Sequence, residues 1–368
     1  MGRTPKDRIQ REATRLLEAG VAGQVFPGAV ACIGYVEGGR PAFVTAVAGR
    51  LTRDGTAVRR DSPYDLASLT KPVVAVAALR LNVAGSLALD VRADSILADV
   101  RGGPGGSATL EQLLTHRSGL AAWGGLYLDV PHEIGTAAAR RWILSEASRR
   151  METAPGGKVI YSDLGYIIAG EVIARAAGET LDRVVEAQVT EPLGISDAMY
   201  FAGVLPSDRR ADLARRAAPT ERCDWRGRVV CGEVHDENCA ALGGVSGHAG
   251  LFGTAAAVAA FGRAMLECFG GRSEFLPKET IETALAERPG GSHRFGFDMK
   301  SGEPSAAGRR MSATSFGHLG FTGTSLWCDP ERELVVVLLT NRVHPSRANE
   351  KIKGFRPAFH DGVLAAYD

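Results

Sequence analysis

The two most strand-like pairs of segments in this chain lie at its opposite ends. Near the N-terminus, residues 29–36 (AVACIGYV) and 42–48 (AFVTAVA) are rich in small and β-branched apolar residues. Glu37-Gly38-Gly39-Arg40 between them reads as a hairpin turn. Near the C-terminus, residues 324–328 and 334–340 (LVVVLLT) repeat the pattern around the turn Asp329-Pro330-Glu331-Arg332. The long middle is rich in Ala, Leu and Arg, with helical patterning over 137–148, 162–177 and 255–269. Residues 5–19 put Ile9, Ala13, Leu16 and Leu17 on one helical stripe. Residues 348–367 read mainly as a helix, weakened midway by Gly354 and Pro357. The pattern predicts an α+β fold: an antiparallel sheet made from both chain ends, flanked by helices, with an inserted helical region. The expected division is residues 1–75 with 225–368 as an α/β sandwich domain and 76–224 as a mainly helical domain, with the functional site at their interface.

Bulk properties exclude several classes. The chain has 368 residues, 45% of them hydrophobic and 23% charged, which is enough for a substantial core. Net charge is +1 with no basic patch, which gives nucleic-acid binding little support. No apolar run of about 18 residues occurs, so no membrane span is expected. Residues 1–10 (MGRTPKDRIQ) lack the apolar core of a signal peptide, and Lys6 stands where myristoylation wants Ser or Thr. A cytoplasmic location is therefore expected, and the six cysteines are read as free thiols. Cys223, Cys231 and Cys239 are evenly spaced around His235, but the spacing matches no common zinc pattern. No metal or organic cofactor is expected, and oligomeric state is left open.

The chemistry concentrates at Ser68-Leu69-Thr70-Lys71. A serine and a lysine three apart share one face of a helix. Residues 73–79 (VVAVAAL) are apolar almost all round, as in a buried helix, and Gly85 lies where it would stop. Pro72 lacks a backbone N–H, so it fits only near the helix start. Ser68 is thus expected at the N-terminus of a buried helix, where free N–H groups favour developing negative charge. A serine beside an amine in such a place can act as a nucleophile. Alone, the motif also reads as an ordinary serine cap.

Three further segments follow in order: residues 113–120 (LLTHRSGL), Tyr161-Ser162-Asp163 and residues 316–325 (FGHLGFTGTS). Together with Ser68-x-x-Lys71 they resemble the serine β-lactamase and penicillin-binding-protein superfamily, most closely its class C-related branch of esterases, amidases and D-amino-acid peptidases. Residues 234–238 (VHDEN) and 244–252 (GVSGHAGLF) also look like family segments, and the resemblance runs from Phe26 to Asn341. It implies that Ser68 becomes acylated, that Lys71 and Tyr161 manage its proton, and that the N–H groups of Ser68 and Phe321, next to Gly320, form an oxyanion hole. Each such donor is worth about 3–4 kcal/mol in comparable sites.

Two positions depart from the class C pattern. Asp163 stands where those enzymes carry Asn, and a carboxylate only accepts hydrogen bonds. Near Lys71 it would hold the lysine charged and make it a poor base, leaving a Tyr161 phenolate to take the Ser68 proton. A helix N-cap is the other reading of Asp163. His318 stands where β-lactamases have Lys, so the permanent cation for a substrate carboxylate is missing. Slow acylation by β-lactams is expected at most. His116 is read as structural. Trp123 and Tyr127 are read as groove-lining or packing residues. Arg342 is read as a solvated arginine, with contact to an anionic substrate group as the other reading.

No G-x-S-x-G elbow, P-loop or H-E-x-x-H occurs, and His132-Glu133 lacks a second histidine. The resemblance implies a serine hydrolase acting on a small ester, amide or muropeptide-like substrate. An acyltransferase, a weak β-lactamase and a non-catalytic penicillin-binding or sensor protein are the alternatives.

Overall fold

The computed structural model describes residues 4–302 and 304–368. The first three residues of the polar N-terminal stretch lie outside them. Helix α1 (Pro5–Ala22) is followed by the hairpin β1 (Gly28–Glu37) and β2 (Arg40–Gly49). The C-terminal part supplies β3 (Asp298–Met299), β4 (Phe316–Leu319), β5 (Ser325–Asp329) and β6 (Leu334–Thr340). All six form one antiparallel sheet in the order β2-β1-β6-β5-β4-β3. The two chain ends meet where Ala29 pairs with Thr340 and Gly34 with Val335.

Both faces of the central strands are covered, which explains their unbroken apolar runs. Ala29, Ala31 and Ile33 of β1 and Leu334, Val336 and Leu338 of β6 pack with Leu17 of α1 and Phe359 and Val363 of α7 (Ile352–Tyr367). The alternating set, Val30, Cys32, Val335 and Val337, faces α6 (Ala255–Phe269) and joins the main core. That core continues without a break into α2 (Thr70–Val83), α4 (Ala137–Arg149) and α5 (Asp163–Ala177). Gly354 and Pro357 do not interrupt α7, because the burial of Phe359, His360, Val363 and Leu364 outweighs the missing hydrogen bond.

Helix α2 is buried at every position from Thr70 to Leu79. Pro72 is its third residue, inside the first turn where its missing N–H has no partner to lose. The helix stops at Ala84, and Gly85 follows with φ +73°. Ser162, not Asp163, caps α5 by accepting from Gly165 N–H at 3.0 Å, so the N-cap reading of Asp163 is corrected. Among the described residues no helix is long and apolar enough to cross a membrane.

Candidate active site

Ser68 sits in a 3-10 turn (Ala67–Leu69) that runs directly into α2. The preceding Ala67 adopts φ +48°, a left-handed conformation that an alanine rarely takes. Asp65 holds it there. One carboxylate oxygen accepts from Ala67 N–H at 2.8 Å and the other from His235 N–H at 2.6 Å.

One turn further on, Lys71 is fully enclosed, and its ammonium spends all three protons on three oxygens. Nζ donates to Ser68 Oγ at 2.8 Å, Tyr161 Oη at 2.7 Å and Asp163 Oδ1 at 2.7 Å. Burial pushes the lysine down, but Asp163 and then Tyr161 outweigh it and hold Lys71 above its ordinary range. Burial also raises the Tyr161 phenol, and the opposing pull of Lys71 does not undo this. The resting site at neutral pH is therefore an ammonium beside a neutral phenol. A phenolate forms only as pH rises, which modifies the resting base expected from sequence.

Three imidazoles surround the Tyr161 ring, with centroids at 4.5 Å (His116), 5.0 Å (His293) and 5.8 Å (His318). His116, at the end of α3 (Leu110–Leu114), accepts from Ser162 N–H through Nδ1 at 2.9 Å and fixes the entry to α5. Its own φ is +58°. His318 lies on β4 and donates from Nδ1 to Leu319 O at 2.8 Å, so its buried Nε2 carries a bare lone pair with no partner among the described residues. Burial holds both rings well below the usual histidine range, aided by His293 and then Lys71 at His116 and by Lys71 and then His293 at His318. The expected absence of a cation at position 318 follows from this burial.

Gly320 turns the chain from β4 toward the Ser68 turn. A Cβ there would lie 1.9 Å from Thr324 Oγ1 and 2.6 Å from Leu66 O, which only glycine avoids. Phe321 follows, half-exposed, and no acceptor among the described residues engages its N–H. Arg342 is buried rather than solvated, which corrects the sequence reading. It donates from Nε to Phe321 O at 2.9 Å and stacks over the Phe321 ring at 4.5 Å. Arg356 of α7 donates to Gly320 O at 2.6 Å and Thr324 O at 2.8 Å. Two arginines thus hold the carbonyl of the Gly320–Phe321 peptide and the carbonyl that follows it.

Behind Phe321 lies a charge network with no single-motif signature in the sequence. The His235 ring stacks on Phe321, and His235 Nε2 lies 2.9 Å from Glu221 Oε2. Arg347 bridges Glu221 and Glu237, both at 2.5 Å. Burial raises Glu221, but His235 and Arg347 together pull its carboxyl down to about 2.

All seven site residues read from the sequence meet at one place. Ser68, Tyr161, Asp163, His318, Gly320 and Phe321 line a cleft of about 880 Å³, with Lys71 beneath it. Trp123 stands half-exposed on the rim, whereas Tyr127 packs edge-on against Trp225. His293 and Asp298 also face the cleft and were not singled out from the sequence. The cysteines lie apart: Cys239 Sγ donates to Ala249 O and Cys231 Sγ to Ala214 O. Among the described residues no three His, Cys, Asp or Glu side chains gather as a metal site.

The family model described as Beta-lactamase matches residues 13–355. The chain belongs to the beta-lactamase family. A curated relative, the putative D-alanyl-D-alanine carboxypeptidase of Salmonella agona (strain SL483), is 32% identical over 228 residues. That match takes in 59% of this chain and 52% of the relative, so the chain spans about half the length of the curated relatives it matches. Among solved structures, EstCE1, a hydrolase with promiscuous acyltransferase activity, superposes with a TM-score of 0.73 at 20% identity, covering 96% of this chain and 99% of the other. Simvastatin synthase from Aspergillus terreus gives 0.73 at 22% identity over the full length of both chains. At these identities the two structures speak to the fold, which this beta-lactamase family member shares with them.

Proposed function

We propose that the chain is a serine hydrolase that cleaves a small ester or amide through an acyl-Ser68 intermediate. The observation that carries this reading is the single ammonium of Lys71 donating at once to Ser68 Oγ, Tyr161 Oη and Asp163 Oδ1. Ser68 Oγ attacks the substrate carbonyl. Its proton passes to the Tyr161–Lys71 pair, in which Tyr161 accepts once it is ionised and Lys71 stabilises the phenolate. The N–H groups of Ser68 and Phe321 receive the oxyanion, and Arg342 and Arg356 keep the Phe321 peptide in place. The pair then protonates the leaving alkoxide or amine. A peptide ending in a D-residue fits the name carried by the 32%-identical relatives. Penicillins are expected to acylate slowly, because His318 offers their carboxylate a neutral ring.

The test is to incubate the protein with p-nitrophenyl acetate and butyrate and with a fluorescent penicillin, beside Ser68→Ala, and to take intact masses. A Ser68-dependent acyl adduct with ester turnover is expected. Turnover that survives in Ser68→Ala defeats the proposal.

A second reading is acyl transfer to an alcohol or amine. A cleft of about 880 Å³ is larger than a small acyl group needs, which leaves room for an acceptor. An ester of an added acceptor alcohol, formed at the expense of free acid, would identify it.

A further inference from the structure

The groups that manage the Ser68 proton are both protonated at rest, so a base already unprotonated at neutral pH favours the second half of the reaction. Once Ser68 is acylated, a water molecule must lose a proton to attack the ester. Lys71 is an ammonium with its three protons committed, and the Tyr161 phenol lies above its ordinary range. A neutral imidazole open to the same cleft meets the need.

His293 is that imidazole. His293 and Asp298 face each other across an antiparallel bridge, with Arg294 N–H donating to Phe297 O at 2.7 Å to close the turn between them. Phe295 and Phe297 anchor this turn in the core. Gly296, at φ +71°, presses against the helix of the nucleophile: a Cβ there would lie 2.7 Å from Ala75 Cβ and 2.8 Å from Lys71 O. The turn is therefore fixed relative to Ser68 and Lys71. His293 Nδ1 and Asp298 Oδ1 are both buried, have no hydrogen-bond partner among the described residues, and lie 3.9 Å apart. At 3.9 Å the two are not hydrogen-bonded, but the nearby carboxylate charge favours the imidazole proton on Nδ1 and so leaves the lone pair on Nε2. No protein group among the described residues bonds Nε2, and the side chain keeps about a quarter of its surface open to the cleft.

We propose that His293, oriented by Asp298, is the base that activates the water or acceptor releasing the acyl group from Ser68. The step rests on the acyl-Ser68 reading above. His293 Nε2 takes a proton from water, and the water oxygen bonds the acyl carbon. The bond from that carbon to Ser68 Oγ breaks, and Oγ takes a proton from Lys71. His293 then returns its proton to Lys71 through solvent in the cleft, and the carboxylic acid leaves. The groups facing His293 agree with this role. Burial lowers its proton affinity, Asp298 raises it, and Lys71 and Arg294 lower it. The His116, Tyr161 and His318 rings complete its surroundings and bring no counter-charge of their own. Burial first, and then the Lys71 and Arg294 charges, thus hold His293 below the usual histidine range and unprotonated at rest. When Lys71 gives up its proton to Ser68 Oγ, His293 holds the water's proton more firmly, which couples the two transfers.

The experiment compares wild type, His293→Ala and Asp298→Asn with p-nitrophenyl acetate, by rapid mixing and quenched intact mass. The expected result is an unchanged acylation rate, steady-state turnover lower by about 100-fold in His293→Ala, and accumulation of acetyl-enzyme. Added imidazole restores part of the turnover. In Asp298→Asn the acid limb of deacylation moves to lower pH, a shift that loss of packing alone does not produce. Acylation and turnover falling together, or turnover unchanged, overturns the role of His293. A wild type that forms no Ser68 adduct defeats the acyl-enzyme reading itself, and this one with it. Should His293→Ala not fold, Asp298→Asn carries the test alone.

Discussion

Asp163 Oδ1 lies 2.7 Å from the enclosed Lys71 Nζ, and the ion pair sets the proton inventory of the whole site. Asp163 raises Lys71 and Tyr161 alike. The deprotonated form that accepts the Ser68 proton therefore grows with pH, and kcat/KM for an ester should rise from neutral into alkaline solution. Asp163→Asn removes the raising influence on both groups, so the acid limb should move to lower pH. The pH profile of the acylation burst in the two proteins checks this; a limb that moves upward contradicts it.

Tyr161→Phe keeps the ring among its three histidines and removes only the hydroxyl. Acylation should fall by about 10²–10⁴-fold, the span for a lost general acid–base group. The initial burst with p-nitrophenyl butyrate is the measurement, with thermal unfolding as the folding control. Acylation within a few-fold of wild type would show that the phenol carries no proton.

Arg342→Ala releases Phe321 O and strips the cation from the Phe321 ring. The Phe321 N–H then loses its fixed direction, and kcat should fall by an order of magnitude or more, short of the roughly 10²–10³-fold for complete loss of an oxyanion donor. KM should change little, because the donor acts on the transition state. Stability should drop by about 1–3 kcal/mol through the lost charge-assisted hydrogen bonds, read by urea titration.

Acid should weaken the wall behind Phe321. Glu221 ionises near 2 in the folded protein against an ordinary value of 4.5, so the unfolded chain takes up this proton first as pH falls. The stabilisation is complete above about 4.5 and gone near 2, and the shift corresponds to roughly 3 kcal/mol. Glu221→Gln should lose much of this dependence between those limits. Urea midpoints across that range test it; parallel wild-type and variant curves refute it.

The centre of the sheet was legible because strands β1 and β6 are buried on both faces. Residues 334–340 carry no polar residue before Thr340, and residues 255–269 are helical with the bounds expected. The meeting of Ser68, Lys71 and Tyr161 was legible because each stands in a short motif. His293 and Asp298 were not. Their five-residue separation has no periodic meaning, and only the turn anchored by Phe295 and Phe297 makes them neighbours. Arg342 misled for a related reason. A charged residue just past a strand reads as solvated, yet here the carbonyls of Phe321, Arg347 and Asn349 supply the acceptors that let it be buried. The protonation of Tyr161 depended on how deeply the ring lies, which no motif encodes.

The pairing of β1 with β6 also sets a schedule for synthesis. The first hairpin leaves the ribosome early, but the strand that covers its inner edge follows about 300 residues later. At ordinary elongation rates the nascent chain carries a bare apolar strand for roughly 15–60 s. Gly34, Val30 and Ile33 then have no neighbour along that edge, and a second ribosome on the same message offers an identical one. Successful production should therefore depend more on what shields the hairpin during this interval than on the stability of the finished sheet.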